Sequence, residues 1–235
     1  MFTGSAELYD AIYGAFKDYP AEVTTIAAVV KSAHPDARTV LDVGCGTGEH
    51  VKHLRMNDSF EVDGLDLDPD LLAVARRKVV DARFFQADMA TFELGIRYDV
   101  VLCLFSSIGY LKSLDRVTAG LRRFHAHLAK DGVVVVEPWF APQVLREGTG
   151  APVHVVAGGA QVERTSHLSI QGRVSTIVFT YHIEDAAGTR TIEEVHELGL
   201  FTQAEMLDCF REAGLHATYD PVGPTGRGLY VARAV

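Results

Sequence analysis

The stretch that decides the fold is Val40-Leu-Asp-Val-Gly-Cys-Gly-Thr-Gly-Glu-His50. An apolar strand runs into three alternating glycines, which lack Cβ atoms and tolerate positive φ. The backbone can therefore turn from strand to helix while a ligand approaches it closely. The spacing G-x-G-x-G lacks the Lys-Ser/Thr of a phosphate-binding P-loop and differs from the G-x-G-x-x-G dinucleotide fingerprint. The stretch predicts a nucleotide-type pocket at the end of the first strand.

A carboxylate follows the second predicted strand, Phe60-Glu-Val-Asp-Gly-Leu-Asp66, about twenty residues beyond the glycines. In Rossmann-like sheets an acid at this position accepts hydrogen bonds from ribose hydroxyls. Asp68 and Asp70 lie where the next helix begins, and an acid there more often caps the helix. We therefore expect Asp66 to bind a ribose.

Composition and charge limit the possible functions. The chain has 235 residues, 48% of them hydrophobic and 23% charged, enough for one large domain or one domain with an insertion. The formal net charge of −9 argues against broad binding of nucleic acid or anionic membranes, because most of the protein's field would repel phosphate. The apolar runs are too short to span a bilayer, and the N-terminus does not resemble a signal peptide. We expect a cytoplasmic protein with a small-molecule substrate.

The cysteines and histidines do not indicate a metal site. Cys45, Cys103 and Cys209 are widely separated and contain no C-x-x-C spacing, so neither a disulfide framework nor a zinc site is predicted. His125 and His127 lie two apart on a predicted helix, which directs their side chains about 200° apart. We expect no catalytic metal.

The first part of the chain alternates between strand and helix patterns, which predicts a parallel sheet covered on both faces. Residues 9–19 form an aromatic-rich segment with no assigned element. The continuous apolar runs 100–105 and 133–136 are typical of central strands buried from both sides. The predicted strands are 39–43, 62–66, 83–86, 98–105 and 132–138, and the predicted helices are 21–33, 49–54, 69–78 and 115–128.

After Gly148 the pattern changes to alternating strands with short turns, which predicts an antiparallel meander. A capping-box sequence, 202–205, then opens a last helix, and a strand pair at the C-terminus completes the main sheet. The predicted fold is α/β, a Rossmann-like sheet with an inserted antiparallel β layer. We expect residues 1–148 and 202–235 to form the cofactor-binding domain and residues 149–201 the inserted layer, which covers the substrate site. The predicted meander strands are 153–156, 161–170, 174–184 and 189–201, and the final pair is 216–220 and 228–235.

Polar residues follow the strands at the edge where open α/β sheets bind ligands. Asp88 could accept a hydrogen bond from an adenine amino group beside the apolar Met89, or it could only cap the next turn. Glu137 ends an apolar strand, where an acid needs a partner, so it could contact substrate or cap a turn. We expect Trp139 to pack a wall of the cleft.

The glycine loop with Asp42 before it resembles the first motif of class I S-adenosylmethionine (SAM) methyltransferases. In that class the loop borders the methionine part of SAM, and an Asp-Met pair lies at the adenine. The resemblance implies a Rossmann-like class I fold, SAM as cofactor, S-adenosylhomocysteine as product, and no metal. The cofactor-binding residues expected here are Tyr9, Tyr19, Gly44, Cys45, Gly46, Asp66, Leu67, Asp88, Met89, Leu104 and Ser106.

Five segments resemble the N,N-dimethyltransferases that act on TDP-linked 3-amino sugars in macrolide antibiotic pathways. These segments are 8–13, 17–19, 105–112, 133–139 and 223–229, and the Cys-Gly-Thr-Gly loop at 45–48 is a sixth. The resemblance implies that the N-terminal segment closes over SAM, that the β layer helps form the sugar site, that Tyr13 lies beside the amine and that Arg227 meets the diphosphate. The expected substrate-binding residues are Tyr13, Ser107, Tyr110, Glu137, Trp139 and Arg227, and Tyr13 and Glu137 are the expected catalytic residues.

Direct in-line transfer to an amine requires alignment more than a strong base, and no His–acid pair stands at a predicted strand end. Two alternatives stay open. The acceptor could be another small natural-product amine or hydroxyl, or the chain could bind SAM without catalysis. A homodimer is also compatible with the sequence.

Overall fold

The computed structural model describes residues 6–56 and 60–235, so the first residues of the expected domain 1–148 lie outside the described part. The helices are α1 (Ala6–Gly14), α2 (Tyr19–Ala33), α3 (Glu49–Met56), α4 (Pro69–Lys78), α5 (Leu114–Ala126) and α6 (Gln203–Glu212), with a 3₁₀ turn at Ser107–Leu111. The strands are β1 (Thr39–Val43), β2 (Glu61–Asp66), β3 (Phe84–Gln86), β4 (Tyr98–Cys103), β5 (Leu128–Val136), β6 (Gly148–Thr149), β7 (Val153–Ala157), β8 (Ala160–Gln171), β9 (Val174–Asp185), β10 (Gly188–Gly199), β11 (Leu215–Asp220) and β12 (Leu229–Ala234).

The main sheet has seven strands in the order β11-β12-β5-β4-β1-β2-β3. Strands β1 to β5 are mutually parallel, while β12 runs antiparallel to both β5 and β11. The chain goes from β1 outward to β2 and β3 and returns to β4 on the other side of β1. This reversal is the position where open α/β sheets bind ligands, and the glycine loop lies there.

Both faces of this sheet are buried, as the continuous apolar runs predict. On one face Ile26 of α2, Leu54 of α3 and Leu72 of α4 belong to one hydrophobic cluster. On the other face Phe124 of α5 and Phe210 of α6 belong to a second. The α/β class and the additional antiparallel sheet are both confirmed.

The second sheet is antiparallel, with the order β10-β9-β8 and with the short strands β6 and β7 both paired to β8. Its inner face is the one that carries Val162, Tyr181 and Ile183, which pack against Ile12 of α1. Since side chains alternate between the faces of a strand, the residues two apart from these point to the same side. The inner face therefore lies against α1.

Several element boundaries differ from the predicted ones. The aromatic-rich segment 9–19 contains most of α1 and the first residue of α2. Strand β4 ends at Cys103 rather than at Phe105, because Phe105 and Ser106 have φ of 48° and 66° and leave the extended conformation. Strand β5 starts four residues early, at Leu128, which pairs with Tyr98 across an irregular step in the register. Among the described residues, no helix is both long and apolar enough to cross a membrane.

Candidate active site

The glycine loop turns sharply at the end of β1, since Gly44, Gly46 and Gly48 have φ of 77°, 55° and 77°. A Cβ on Gly44 would lie 2.6 Å from the Cβ of Ser107, whose hydroxyl donates to the Gly44 carbonyl over 3.3 Å. A Cβ on Gly46 would meet no atom within 4 Å. Gly44 therefore permits close packing inside the protein, whereas the side of Gly46 is open to a ligand.

Asp66 ends β2 directly beside this loop. Its carboxylate accepts hydrogen bonds from the Gly46 N–H (2.8 Å) and the Asp68 N–H (2.9 Å). Burial raises the pKa of Asp66, although these two hydrogen bonds oppose the rise. Asp68 caps α4 by accepting from the N–H groups of Asp70 and Leu71. The two acids lie where they were predicted, Asp66 beside the glycine loop and Asp68 at the start of α4. Ribose binding by Asp66 stays a prediction.

The residues expected at the adenine surround the same opening. Leu67 is 56% exposed, and Met89 approaches to 3.8 Å from the Cβ position of Gly44. The Asp88 carboxylate accepts from the Ala90 N–H over 2.8 Å and from Arg116 over 2.7 Å. Although burial works in the opposite direction, these contacts hold the pKa of Asp88 below its usual range. Asp88 does cap the turn, and its second expected role, adenine binding, stays a prediction.

Three expected cofactor residues have buried side chains. Cys45 and Leu104 belong to the hydrophobic cluster on the α2–α4 side of the main sheet. The Ser106 hydroxyl donates to the Pro138 carbonyl over 2.8 Å, which joins the ends of β4 and β5. We expect these residues to meet a ligand through their main-chain atoms.

Three tyrosines expected at the cofactor and the acceptor lie on the first two helices, Tyr9 and Tyr13 on α1 and Tyr19 at the start of α2. The rings of Tyr9 and Tyr13 lie 4.3 Å apart, and burial raises the pKa of both, with the neighbouring Tyr13 and Tyr19 adding to the rise at Tyr9. Burial also raises the pKa of Tyr19, so all three hydroxyls stay neutral. The Thr47 hydroxyl of the loop donates to Asp10 of α1 over 2.5 Å, which holds α1 in place.

Glu137 lies at the end of β5, buried, with three partners. It accepts from the Phe105 N–H over 2.7 Å and from the Thr225 hydroxyl, and it lies 3.5 Å from Arg227 Nη1. The Arg227 guanidinium also faces the Phe105 ring, with 5.0 Å to the centroid. These contacts are those of an acid that braces the loop 223–228 against the main sheet, and a direct catalytic role of Glu137 stays a prediction. The Trp139 ring also lies near Arg227, with 5.8 Å from the guanidinium to its centroid, and its indole N–H donates to Ser175 over 2.9 Å.

Comparison with known proteins agrees with this geometry. Residues 40–132 match a family model described as a methyltransferase domain. The chain is 45% identical to the dTDP-3-amino-3,6-dideoxy-alpha-D-glucopyranose N,N-dimethyltransferase of Streptomyces fradiae, covering 96% of this chain and 89% of the relative. It is 40% identical to the dTDP-3-amino-3,4,6-trideoxy-alpha-D-glucopyranose N,N-dimethyltransferase of Streptomyces venezuelae, covering 96% of each.

The chain belongs to the amino-sugar N,N-dimethyltransferase family of class I SAM methyltransferases. The crystal structure of Streptomyces venezuelae DesVI superposes with a TM-score of 0.91 at 39% identity and covers 98% of each chain. A SAM-bound amino pentose methyltransferase from Micromonospora echinaspora, involved in calicheamicin biosynthesis, superposes with a TM-score of 0.86 at 38% identity and covers 97% of each chain. The expected fold, enzyme class and cofactor are thereby confirmed for this methyltransferase.

Some residues of the methyltransferase site were not predicted from the sequence. The Lys17 ammonium lies 3.4 Å from the centroid of the Phe105 ring and 2.9 Å from Glu22. Burial lowers the pKa of Lys17, and the hydrogen bond with Glu22 opposes this. Lys17 and Arg227 thus place two cations on one aromatic ring. No group of three or more His, Cys, Asp or Glu side chains within 6–56 and 60–235 could hold a metal ion.

The inner face of the second sheet adds four polar residues to the site. The Tyr110 hydroxyl lies 2.9 Å from His196 Nδ1, and the Tyr181 hydroxyl donates to Glu194 over 3.1 Å. Arg164 lies on β8, directly opposite Tyr181. The sequence signal that could have found these residues is the alternation of side chains along a strand. It directs inward the polar residues Arg164, Glu194 and His196.

Proposed function

We propose that this enzyme transfers methyl groups from SAM to the amino group of a TDP-linked amino sugar, forming the N,N-dimethylated product. The observation that carries the proposal is that the cofactor-side and acceptor-side residues lie at one edge of the main sheet, where its parallel strands end. The glycine loop follows β1 and Asp66 ends β2, at the same edge of the main sheet as the Glu137–Arg227 pair after β5, and that pair suits a nucleotide diphosphate. The names of the two Streptomyces relatives support the choice of an amino sugar.

The residues at the cofactor end fit SAM. The open side of Gly46 admits the methionine part, the Asp66 carboxylate suits two ribose hydroxyls, and Leu67 and Met89 offer apolar surface to the adenine. When bound, SAM supplies a methyl group that its sulfonium has already activated. The protein therefore has to align the acceptor and exclude water.

Alignment falls to Tyr13 in this proposal. Its hydroxyl is neutral because burial raises its pKa, so it can accept a hydrogen bond from the acceptor amine without removing a proton itself. A weakly basic amine can lose its proton to water, and proximity then supplies most of the rate. The helix that carries Tyr13 closes the site from solvent.

Arg227 is assigned to the diphosphate. Its planar guanidinium can bind phosphate oxygens through two parallel hydrogen bonds, and Glu137 orients it by holding one nitrogen at 3.5 Å. The Nε of Arg227 is buried and has no hydrogen-bond partner within 6–56 and 60–235, so it is available to an acceptor. Ser107, Tyr110 and Trp139 line the remainder of the acceptor side.

The expected division of the chain belongs to the same proposal. Residues 1–148 and 202–235 bind SAM, and residues 149–201 close the acceptor side. A cytoplasmic location and a homodimer are further expectations, and light scattering on the purified enzyme tests the dimer.

Turnover and a matched pair of variants test the proposed function. The enzyme is incubated with SAM and TDP-amino sugars, and mass spectrometry should find products 14 and then 28 mass units heavier, about one methylene per transfer. Arg227→Met should raise KM for the nucleotide sugar about tenfold or more, the loss of one charge-assisted hydrogen bond, and change the Kd of SAM little. Arg211→Met, in the exposed part of α6, is the control.

Two outcomes would contradict the proposal. Methylation of hydroxyl or other small-amine acceptors, with no product from any amino-sugar nucleotide, would assign a different acceptor. Tight SAM binding with no turnover of any acceptor would indicate a non-catalytic protein. If Arg227→Met changes KM for the nucleotide sugar and the Kd of SAM equally, only the diphosphate contact of Arg227 is rejected.

A further inference from the structure

The guanidinium of Arg164 is a buried polar group on the inner face of the second sheet. It has too few hydrogen-bond partners among the described residues. Its side chain is on β8, and the residue is only 9% exposed. The guanidinium lies among aromatic rings, with 4.6 Å to the centroid of Phe179 and 5.4 Å to that of Tyr13. Its Nε and Nη1 have no hydrogen-bond partner among the residues that the structure describes. Buried donors are costly when unpaired, so these nitrogens indicate a ligand with an acceptor atom.

A carboxylate shares this face with Arg164. Glu194 is 3% exposed, and its carboxylate accepts from the Tyr181 hydroxyl over 3.1 Å. The charges of both residues act on Tyr13. Burial raises the pKa of the Tyr13 hydroxyl, Arg164 opposes that rise, and Glu194 adds to it. A guanidinium donor and a carboxylate acceptor therefore lie beside the residue assigned to the acceptor amine.

The pairing of these charges selects the chemistry of the ligand group. A phosphate would be repelled by Glu194, and an ammonium would be repelled by Arg164. A hydroxyl both donates and accepts, so it can donate to the carboxylate and accept from the guanidinium at the same time. At Arg227 the situation differs, because Glu137 already accepts from the Phe105 N–H and from Thr225.

We propose that Arg164 and Glu194 bind a ring hydroxyl of the acceptor sugar, on a carbon next to the one that carries the amine. This inference rests on the proposed function, because it takes Tyr13 to lie beside the amine of an amino-sugar nucleotide. The pair is a specificity device. It makes a sugar with that hydroxyl a better substrate than the deoxy sugar, which would leave the two unpaired Arg164 nitrogens without an acceptor.

The test compares kcat/KM for three acceptors: TDP-3-amino-3,6-dideoxyglucose, its 4-deoxy analogue and its 2-deoxy analogue. The wild-type enzyme should prefer the parent sugar over one of the two analogues by about 10- to 100-fold. In Arg164→Met, which keeps side-chain length, and in Glu194→Gln, which keeps side-chain shape, this preference should fall to about threefold or less. Arg190→Met, an exposed substitution on the same sheet, should retain it.

The Kd of SAM and the melting temperature, measured for each variant, separate this role from a structural one, and Glu194→Gln supplies the result if Arg164→Met fails to fold. The inference is overturned if the wild-type enzyme treats all three sugars alike, or if both variants lose activity equally on all three. Those outcomes would leave the proposed function intact. Absence of turnover with every amino-sugar nucleotide would instead overturn both.

Discussion

Two aspartates in neighbouring strands show how surroundings assign different behaviour to one residue type. Asp42, in the middle of β1, is 1% exposed, and its Oδ2 has no hydrogen-bond partner in the described part of the chain. Asp66, at the end of β2, accepts hydrogen bonds from two backbone N–H groups beside the open glycine loop. Burial without partners penalises the charged form, whereas backbone donors stabilise it. Asp42 therefore affects stability and Asp66 is placed for binding.

Replacing Asp42 by asparagine should produce a pH-dependent gain in stability. Burial raises the pKa of Asp42 to about 6, so the folded protein binds this proton more tightly than the unfolded chain. The resulting stabilisation is present at low pH and is lost as the pH rises from about 4 to about 6. Asp42→Asn should raise the free energy of unfolding by up to about 3 kcal/mol at pH 7.5 and by little at pH 4. Urea unfolding of both proteins at pH 7.5 and at pH 4 measures the free energy of unfolding. An equal change at the two pH values would contradict burial of a titrating carboxyl as the cause.

The Asp66 carboxylate should control the affinity for SAM. Asp66→Asn should weaken SAM binding by about 1.5 to 3 kcal/mol, as expected when a charged hydrogen-bond acceptor is removed. Because burial raises the pKa of Asp66, affinity in the wild-type enzyme should decline on acidification before an ordinary carboxylate would protonate, while the variant shows no such decline. Calorimetry across the pH range measures both. Asp68→Asn, which alters the α4 cap, is the control, and a matching loss there would reject a ribose contact.

At the scale of elements, α1 depends on a polar attachment to the glycine loop. Asp10 accepts from Thr47 over 2.5 Å and pairs with Lys78 of α4, which also lies 2.6 Å from Glu49 of α3. On its other side α1 packs Ile12 on the second sheet. The helix that carries Tyr9 and Tyr13 is thus held by side chains of three other elements.

Thr47→Val should loosen this attachment without disturbing the fold, since valine has nearly the shape of threonine. SAM should dissociate about tenfold faster or more, because one hydrogen bond to a charged acceptor is lost. Stopped-flow measurement of SAM release provides the rate. Thr47→Ser keeps the hydroxyl and should restore slow release; unchanged release from Thr47→Val would show that α1 does not retain the cofactor.

At the scale of the whole molecule, the two sheets are joined by buried polar contacts. The Trp139 indole after β5 donates to Ser175 of β9, and the Ser175 hydroxyl donates to the Leu198 carbonyl of β10 over 3.1 Å. Tyr110, which follows β4, reaches His196 of β10 over 2.9 Å. These contacts hold the inner face in register with the carboxyl edge of the main sheet.

Ser175→Ala tests this junction. The buried indole N–H would lose its acceptor, at a cost of about 1 to 3 kcal/mol. For a chain of this size the melting temperature should fall by about 2 to 10 °C. Differential scanning calorimetry measures the change. Ser169→Ala, on the outer face of β8, should alter stability by less than about 0.5 kcal/mol, and similar losses in both variants would show that the junction contributes nothing special.

Local patterns were enough to predict much of the fold and of the cofactor end. The capping box is present, with Glu205 and Thr202 bonded reciprocally, and the final strand pair completes the main sheet. The end of β4 was not predictable, because the apolar run continues to Phe105 while the backbone turns to positive φ there. Helix α1 was missed because its aromatic spacing has no clear period, and its position depends on Asp10 and Ile12 meeting other elements.

The sequence by itself determined the parallel sheet, the glycine loop and the acid beside it, because their signals lie within about twenty residues and the strand period carries them to one edge. Only the tertiary structure decided the acceptor side. Arg164 and Glu194 lie thirty positions apart on strands β8 and β10, and they share one face only once β9 has paired with both strands. Hydrogen-bond pairing between distant strands sets that register, and no local pattern along the chain contains it.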